Sequence, residues 1–275
     1  MGTQETSMKY AIYSSIALIL SVLLGILLMK LVTKRETGKG KKILLSALFS
    51  LLIITAVSLI YLLPYQKAEE SALKILRSDD KTEYVEEKKY YAFLQEGNDT
   101  ALIFYPGAKV DEKAYARLAK TIAEEGIDVY VVKMPFHMAL FGSNRAEEII
   151  EENDYERVYL AGHSLGGTMA SSFVSSHEEN VHGLILLASY PSKKIPDSVL
   201  LYSIYGDKDG CLEKETYENS REYWPERSGE AVLPGGNHAQ FGEYGKQKGD
   251  GIAEISAEEQ ISRCAEEIVF FIKNS

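Results

Sequence analysis

Cysteine is scarce: the 275 residues include two, Cys211 and Cys264. That excludes a disulfide-built scaffold, and without Cys/His pairs at metal-ligand spacing a zinc site has no support. The sequence leaves open whether the two thiols pair or stay separate. Internal repeats and low-complexity tracts are also missing, so a repeat array is excluded. Beyond residue 64 the chain is short of positive charge. Residues 1–64 hold 7 Lys and Arg against 2 Asp and Glu, whereas residues 65–275 hold 23 against 38. A domain this acidic has no bulk attraction for nucleic acid or anionic lipid, although its charge does not identify a substrate.

The amino-terminal quarter is rich in uncharged apolar sequence. Tyr10 to Met29 is one run of 20 residues and Ile43 to Leu63 another of 21. Each is long enough to cross a hydrocarbon core of ~30 Å as a helix. The connector carries Lys34, Arg35, Lys39, Lys41 and Lys42 against Glu36. This predicts a two-helix transmembrane hairpin with the connector cytoplasmic and both ends outside, making the chain a multi-pass membrane protein with an extracytoplasmic domain. No small-residue cleavage site follows the first run, and Lys30 with Lys34-Arg35 looks like a stop signal, which favours a span over a cleaved leader. Met1-Gly2 with Thr6 fits the myristoylation pattern in form only, because this end is expected outside and Met8 is an equally good start.

Residues 65–82 are read as a juxtamembrane helix passing into a polar linker, and residues 83–275 as the globular domain. After two short β-like runs near Glu83–Val85 and Tyr90–Leu94, strand and helix signals alternate from Thr100 onward. Apolar runs at Ala101–Tyr105, Val129–Met134, Val158–Ala161, Gly183–Ala188, Val199–Tyr205 and Ala231–Leu233 are interleaved with helical patterns, the last at Ala257–Ile272. Near-continuous apolar strands alternating with helices imply an α/β fold: a mainly parallel, doubly wound sheet covered on both faces.

Within that texture, Gly162-His163-Ser164-Leu165-Gly166 falls between a strand-like run and a small-residue helical stretch. A serine flanked by glycines at a strand-to-helix turn is a nucleophile elbow, with the hydroxyl raised above the sheet and helix N–H groups aimed at developing charge. The pattern alone arises by chance in roughly one chain in ten of this length. Its weight comes from the order of two downstream residues, an acid and then a histidine, each after a strand. The acid is Asp209 in Gly206-Asp207-Lys208-Asp209-Gly210, with Asp207 the alternative; either could instead make an Asx turn. The base candidate is His238 in Pro234-Gly235-Gly236-Asn237-His238. His163 should point into the protein, while His137, His177 and His182 lie in less suitable places. An oxyanion hole would combine the Leu165 N–H with one from Tyr105-Pro106-Gly107-Ala108-Lys109, Ala108 being preferred and Lys109 held in reserve. The apolar loop Met134–Gly142 either lines a pocket or packs around the central helix.

These segments resemble the α/β-hydrolase superfamily and, more narrowly, a bacterial group of membrane-associated hydrolases, the alpha/beta hydrolase fold-5 family. The resemblance rests on Phe104–Val110, Val132–Pro135, Gly162–Gly167, Tyr205–Gly210 and Gly235–Gly242, spans approximately residues 83–273, and leaves out the apolar runs. It implies the α/β-hydrolase fold, Ser164 as nucleophile, Asp209 as acid, His238 as base, and no metal or organic cofactor. Pro106 stands where a histidine often precedes the oxyanion glycine. The resulting expectation is a membrane-anchored serine hydrolase acting on a small-molecule or lipid-like ester, or an amide, through an acyl-enzyme. The rivals are a non-catalytic binding module of the same fold and an acyltransferase acting on an envelope component.

Overall fold

The computed structural model describes residues 22–27, 30 and 38–275, and divides the chain into two units, 1–64 and 65–275. In the first unit, helix α1 (Lys39–Leu62) covers the second apolar run. Its 18-residue core has a mean hydropathy of 1.8 with none of it buried. Among the described residues it is the one helix long and apolar enough to cross a membrane. Most of the first run, and the connector up to residue 37, lie outside the described residues. The two-helix hairpin therefore reduces to this single candidate span.

In the second unit an eight-stranded sheet runs in the order β1-β2-β4-β3-β5-β6-β7-β8. Strands β1 (Glu83–Glu86) and β2 (Tyr90–Leu94) form an antiparallel hairpin that pairs antiparallel with β4 (Asp128–Val132). The other five, β3 (Thr100–Tyr105), β5 (Arg157–His163), β6 (Gly183–Leu187), β7 (Leu200–Gly206) and β8 (Ser228–Leu233), join β4 in a parallel array. The sheet is thus mixed at one edge and parallel elsewhere.

Alternation along the central strands builds a core on each face. Leu102 and Phe104 of β3 pack on one side with α3 (Ala116–Ala123) and α7 (Ala257–Lys273). Ala101, Ile103 and Tyr105 pack on the other with α4 (Arg145–Glu152) and α5 (Leu165–Val174). A strand buried on both faces is apolar along most of its length, so after their first residues, Thr100 and Asp128, β3 and β4 read as continuous hydrophobic runs rather than alternating ones.

Residues 65–82 are not a free linker. Gln66 makes a parallel bridge to Val110, the Glu69 N–H donates to the Glu243 carbonyl, and helix α2 (Glu70–Leu73) buries Ala72 completely. The Glu/Lys-rich composition reflects the outer face of a segment docked on the domain. A further short helix, α6 (Lys214–Asn219), lacks enough apolar periodicity to be read from sequence.

One close approach fixes where the site forms. A methyl group on Gly166, in the first turn of α5, would overlap the carbonyl oxygens of Tyr105 and Pro106. Only glycine lets the β3 loop lie directly against the start of this helix.

Candidate active site

Four adjacent parallel strands end in left-handed backbone without glycine. Lys109 follows β3 (φ 58°), Phe136 and His137 follow β4 (φ 54° and 52°), Ser164 follows β5 (φ 53°), and Ala188 follows β6 (φ 46°). Such conformations cost of order 1–3 kcal/mol each and persist only where the surroundings enforce them. Their shared position, beyond the carboxyl ends of the strands, is where open α/β sheets gather their ligands.

Ser164 sits on a strained turn with ψ −126°, directly before α5. Its N–H donates to the Leu187 carbonyl at 2.9 Å, and its own carbonyl accepts from Gly167 N–H and the Ser189 hydroxyl. The backbone is pinned on both sides of the side chain. Ser164, Leu165 and His238 line one cavity of about 230 Å³, together with Thr168, Ser189, Tyr190, Cys211, Leu212 and Glu213. Burial and then the charge of Glu213 raise the Tyr190 phenol, which keeps it a neutral donor. Burial, followed by the carboxylates of Asp250 and Asp209, pushes the Cys211 thiol up, so it does not compete as a thiolate. Cys211 and Cys264 are both free.

Asp209 and His238 meet behind the serine. Asp209 Oδ2 lies 2.9 Å from His238 Nδ1, and the two residues are 6% and 3% exposed. The bond requires the tautomer with its proton on Nδ1, which leaves Nε2 able to accept one. Asp209 Oδ1 accepts the N–H groups of Cys211 and Leu212 at 2.8 and 2.7 Å. Asp207, the alternative acid, instead accepts the Gly235 N–H at 2.7 Å and holds the turn that leads to His238. Each aspartate therefore has its own task. A hydrogen bond between Ser164 and His238 is not among those formed by the described residues, as is common in catalytic sites without substrate.

Of the two candidate oxyanion donors, the Leu165 and Ala108 N–H groups have no protein acceptor among the described residues. The Lys109 N–H donates to the His137 carbonyl at 2.6 Å, which removes it as the reserve. Ala108 is not among the cavity-lining residues, although its loop abuts the start of α5. The Met134–Gly142 loop divides: Met134 and Ala139 are buried, whereas Phe136, Leu140 and Phe141 are exposed and do not line the cavity.

Two supports were not legible in the sequence. Asp250 accepts N–H groups from Gly210, His238, Ala239 and Gly251 at 2.7–3.2 Å, tying the acid loop to the histidine loop. It lies in a Gly/Lys/Gln-rich stretch with no periodicity to mark it. Asp209, Cys211 and Asp250 bring their ligand atoms within 4.8 Å of one another, the one such cluster among the described residues. Both carboxylates are engaged by N–H donors and the thiol is protonated, a poor donor set for a cation.

The second support is Tyr115. Its hydroxyl accepts the Gly107 N–H at 3.0 Å and meets His163 Nδ1 at 2.8 Å. His163 is buried as expected, with its ring centroid 4.6 Å from that of His238. Burial first, and then the proximity of His238, hold its pKa well below the ordinary histidine value, against an opposing backbone contact with His238. Since the unfolded chain binds this proton near pH ~6.5 and the folded protein does not, the contribution to stability is present above that pH and lost as pH falls below it. Replacing His163→Asn should flatten the loss. Denaturant unfolding of both proteins between about pH 7.5 and 5 tests this, and equal slopes would refute it.

The model of the Alpha/beta hydrolase family matches residues 101–262. A protein of Mycobacterium phage D29, named as a non-heme haloperoxidase, is 26% identical over 113 residues, 38% of this chain. The match spans about two fifths (41%) of that relative's length. Among solved structures, a dienelactone hydrolase from Anabaena variabilis superposes with a TM-score of 0.52 at 14% identity, covering 68% of this chain and 96% of its own. A monoacylglycerol lipase from Paleococcus ferrophilus gives 0.52 at 12% identity, covering 66% and 98%. At these identities the structures speak for the fold alone. With the family match spanning more than half its length, the chain belongs to the alpha/beta hydrolase family.

Proposed function

We propose that this protein is a membrane-anchored serine hydrolase that cleaves small esters through an acyl-enzyme. The observation that carries the reading is the buried Asp209–His238 hydrogen bond opening onto the same cavity as Ser164. Ser164 Oγ attacks the ester carbonyl as His238 Nε2 takes its proton, and the carbonyl electrons move onto oxygen. The Leu165 and Ala108 N–H groups stabilise that oxyanion. The intermediate collapses, His238 passes the proton to the departing alkoxide, and the acyl group stays on Ser164. Water then enters by the same route and releases the acid. Asp209 orients the ring and stabilises its cationic form without itself taking the proton.

An apolar cavity of 150 Å³ accommodates benzene, so about 230 Å³ beside Ser164 has room for a short acyl group, and a preference for such groups is the reading we adopt. Purified protein should hydrolyse acetyl and butanoyl esters and lose activity on chains of sixteen carbons. Ser164→Ala should lower kcat at least ~10³-fold, about 4 kcal/mol. Full activity in that variant would end the hydrolase reading and favour a non-catalytic module of the same fold.

The anchor is α1. Twenty-four residues at 1.5 Å each give about 36 Å, enough to cross a bilayer. Ile43, Leu44, Leu48, Leu51 and Leu52 are exposed along it among the described residues, an apolar surface suited to lipid. Lys39, Lys41 and Lys42 at its amino end favour that end on the cytoplasmic side and the domain outside. Protease added to intact cells should then cut the domain from its anchor, whereas resistance until the cells are opened would contradict the orientation.

A further inference from the structure

The loop after β3 is fastened at three points, each by a residue with no part in acyl transfer itself. From inside, the Gly107 N–H donates to Tyr115. From outside, the chain entering the domain lies alongside: Gln66 N–H donates to the Lys109 carbonyl at 2.7 Å, and its carbonyl accepts the Asp111 N–H at 2.8 Å. The third fastening is the Lys109 N–H to the His137 carbonyl.

That third bond joins strained partners. Lys109, Phe136 and His137 are all left-handed without being glycine, and each would relax if released. His137 is over-determined in compensation. Its ring stacks on Tyr65 with centroids 3.8 Å apart and planes 27° from parallel. Its Nδ1 lies 3.1 Å from Glu112 Oε2, and its N–H donates to the Met134 carbonyl at 3.0 Å. Tyr65 stands three residues after the end of α1, next to Gln66. One short strap therefore grips both the β3 loop and the residue whose carbonyl restrains it.

We propose that Tyr65 and His137 are positioning residues for the oxyanion donor. By holding the left-handed turn at Lys109 they fix the chain on one side of Ala108, while Tyr115 holds Gly107 on the other, so that the N–H of the Gly107–Ala108 peptide points at the oxygen that gains charge. Residues ahead of the sheet, expected from sequence as a juxtamembrane helix and linker, are then a component of catalysis. This rests on the serine-hydrolase reading.

The full-length protein in detergent, assayed on a butanoyl ester, provides the test. In Tyr65→Ala and His137→Ala, kcat should fall about tenfold with KM within about twofold, a partial version of losing an oxyanion donor. Affinity for a trifluoromethyl ketone, which adds to the serine as a tetrahedral oxyanion, should weaken by the same factor. Tyr65→Phe keeps the stack and should restore both values. Tyr65→Leu fills the space without a flat face and should behave as Tyr65→Ala, which covers the case in which the alanine variant does not fold. Wild-type kcat in Tyr65→Leu, a change confined to KM, or a fall in kcat without loss of ketone affinity would each overturn the assignment. None of these outcomes bears on Ser164, whose own substitution tests the underlying reading.

Discussion

Asp209 and His238 meet in a 2.9 Å hydrogen bond sealed from solvent, and the rest of the site is arranged around it. A buried carboxylate is tolerated only when its oxygens are engaged, and Asp209 accepts two backbone N–H groups besides the imidazole. Those two bonds also shape the turn after β7, so the group that holds the His238 ring folds its own loop. Asp207 and Asp250 then fix the histidine loop from either side. His163, held neutral by burial, adds no second positive charge beside an imidazole that becomes cationic in the proposed mechanism. The hydrogen bond, the two loops and the neutral neighbour form one electrostatic unit.

A second constraint is strain. All five non-glycine residues with positive φ among the described residues follow the ends of β3, β4, β5 and β6. Ser164 needs this geometry to raise its hydroxyl above the sheet, and Lys109 and His137 need it to turn the neighbouring loop across the start of α5. The sheet absorbs the cost because its central strands are buried on both faces and do not yield.

Most of the sheet was legible in the sequence because doubly buried strands leave apolar runs, as at Ala101–Tyr105 and Val158–Ala161. The elbow was legible because Gly162 and Gly166 mark a close backbone approach that only glycine permits. Asp209 and His238 stand out by their order after strands, and the preference for Asp209 over Asp207 has a geometric counterpart in their different partners. Asp250, Tyr115 and the strap at Tyr65–Gln66 were not legible. Each acts through a contact between segments remote in sequence, which no local pattern reports. The docking of residues 65–82 was not legible for a related reason: polar composition reports the solvent face and is silent about the backbone pairing beneath it. The first apolar run lies mostly outside the described residues, so the paired-helix expectation meets only α1.

The most direct test of this site is covalent capture. A fluorophosphonate reacts with a serine only when a neighbouring base removes its proton, so it reads nucleophile and base together. Mass spectrometry of the labelled protein should place a single adduct on the peptide bearing Ser164, abolished in His238→Ala. An adduct on another residue, or undiminished labelling of Ser164 in that variant, would contradict the assignment.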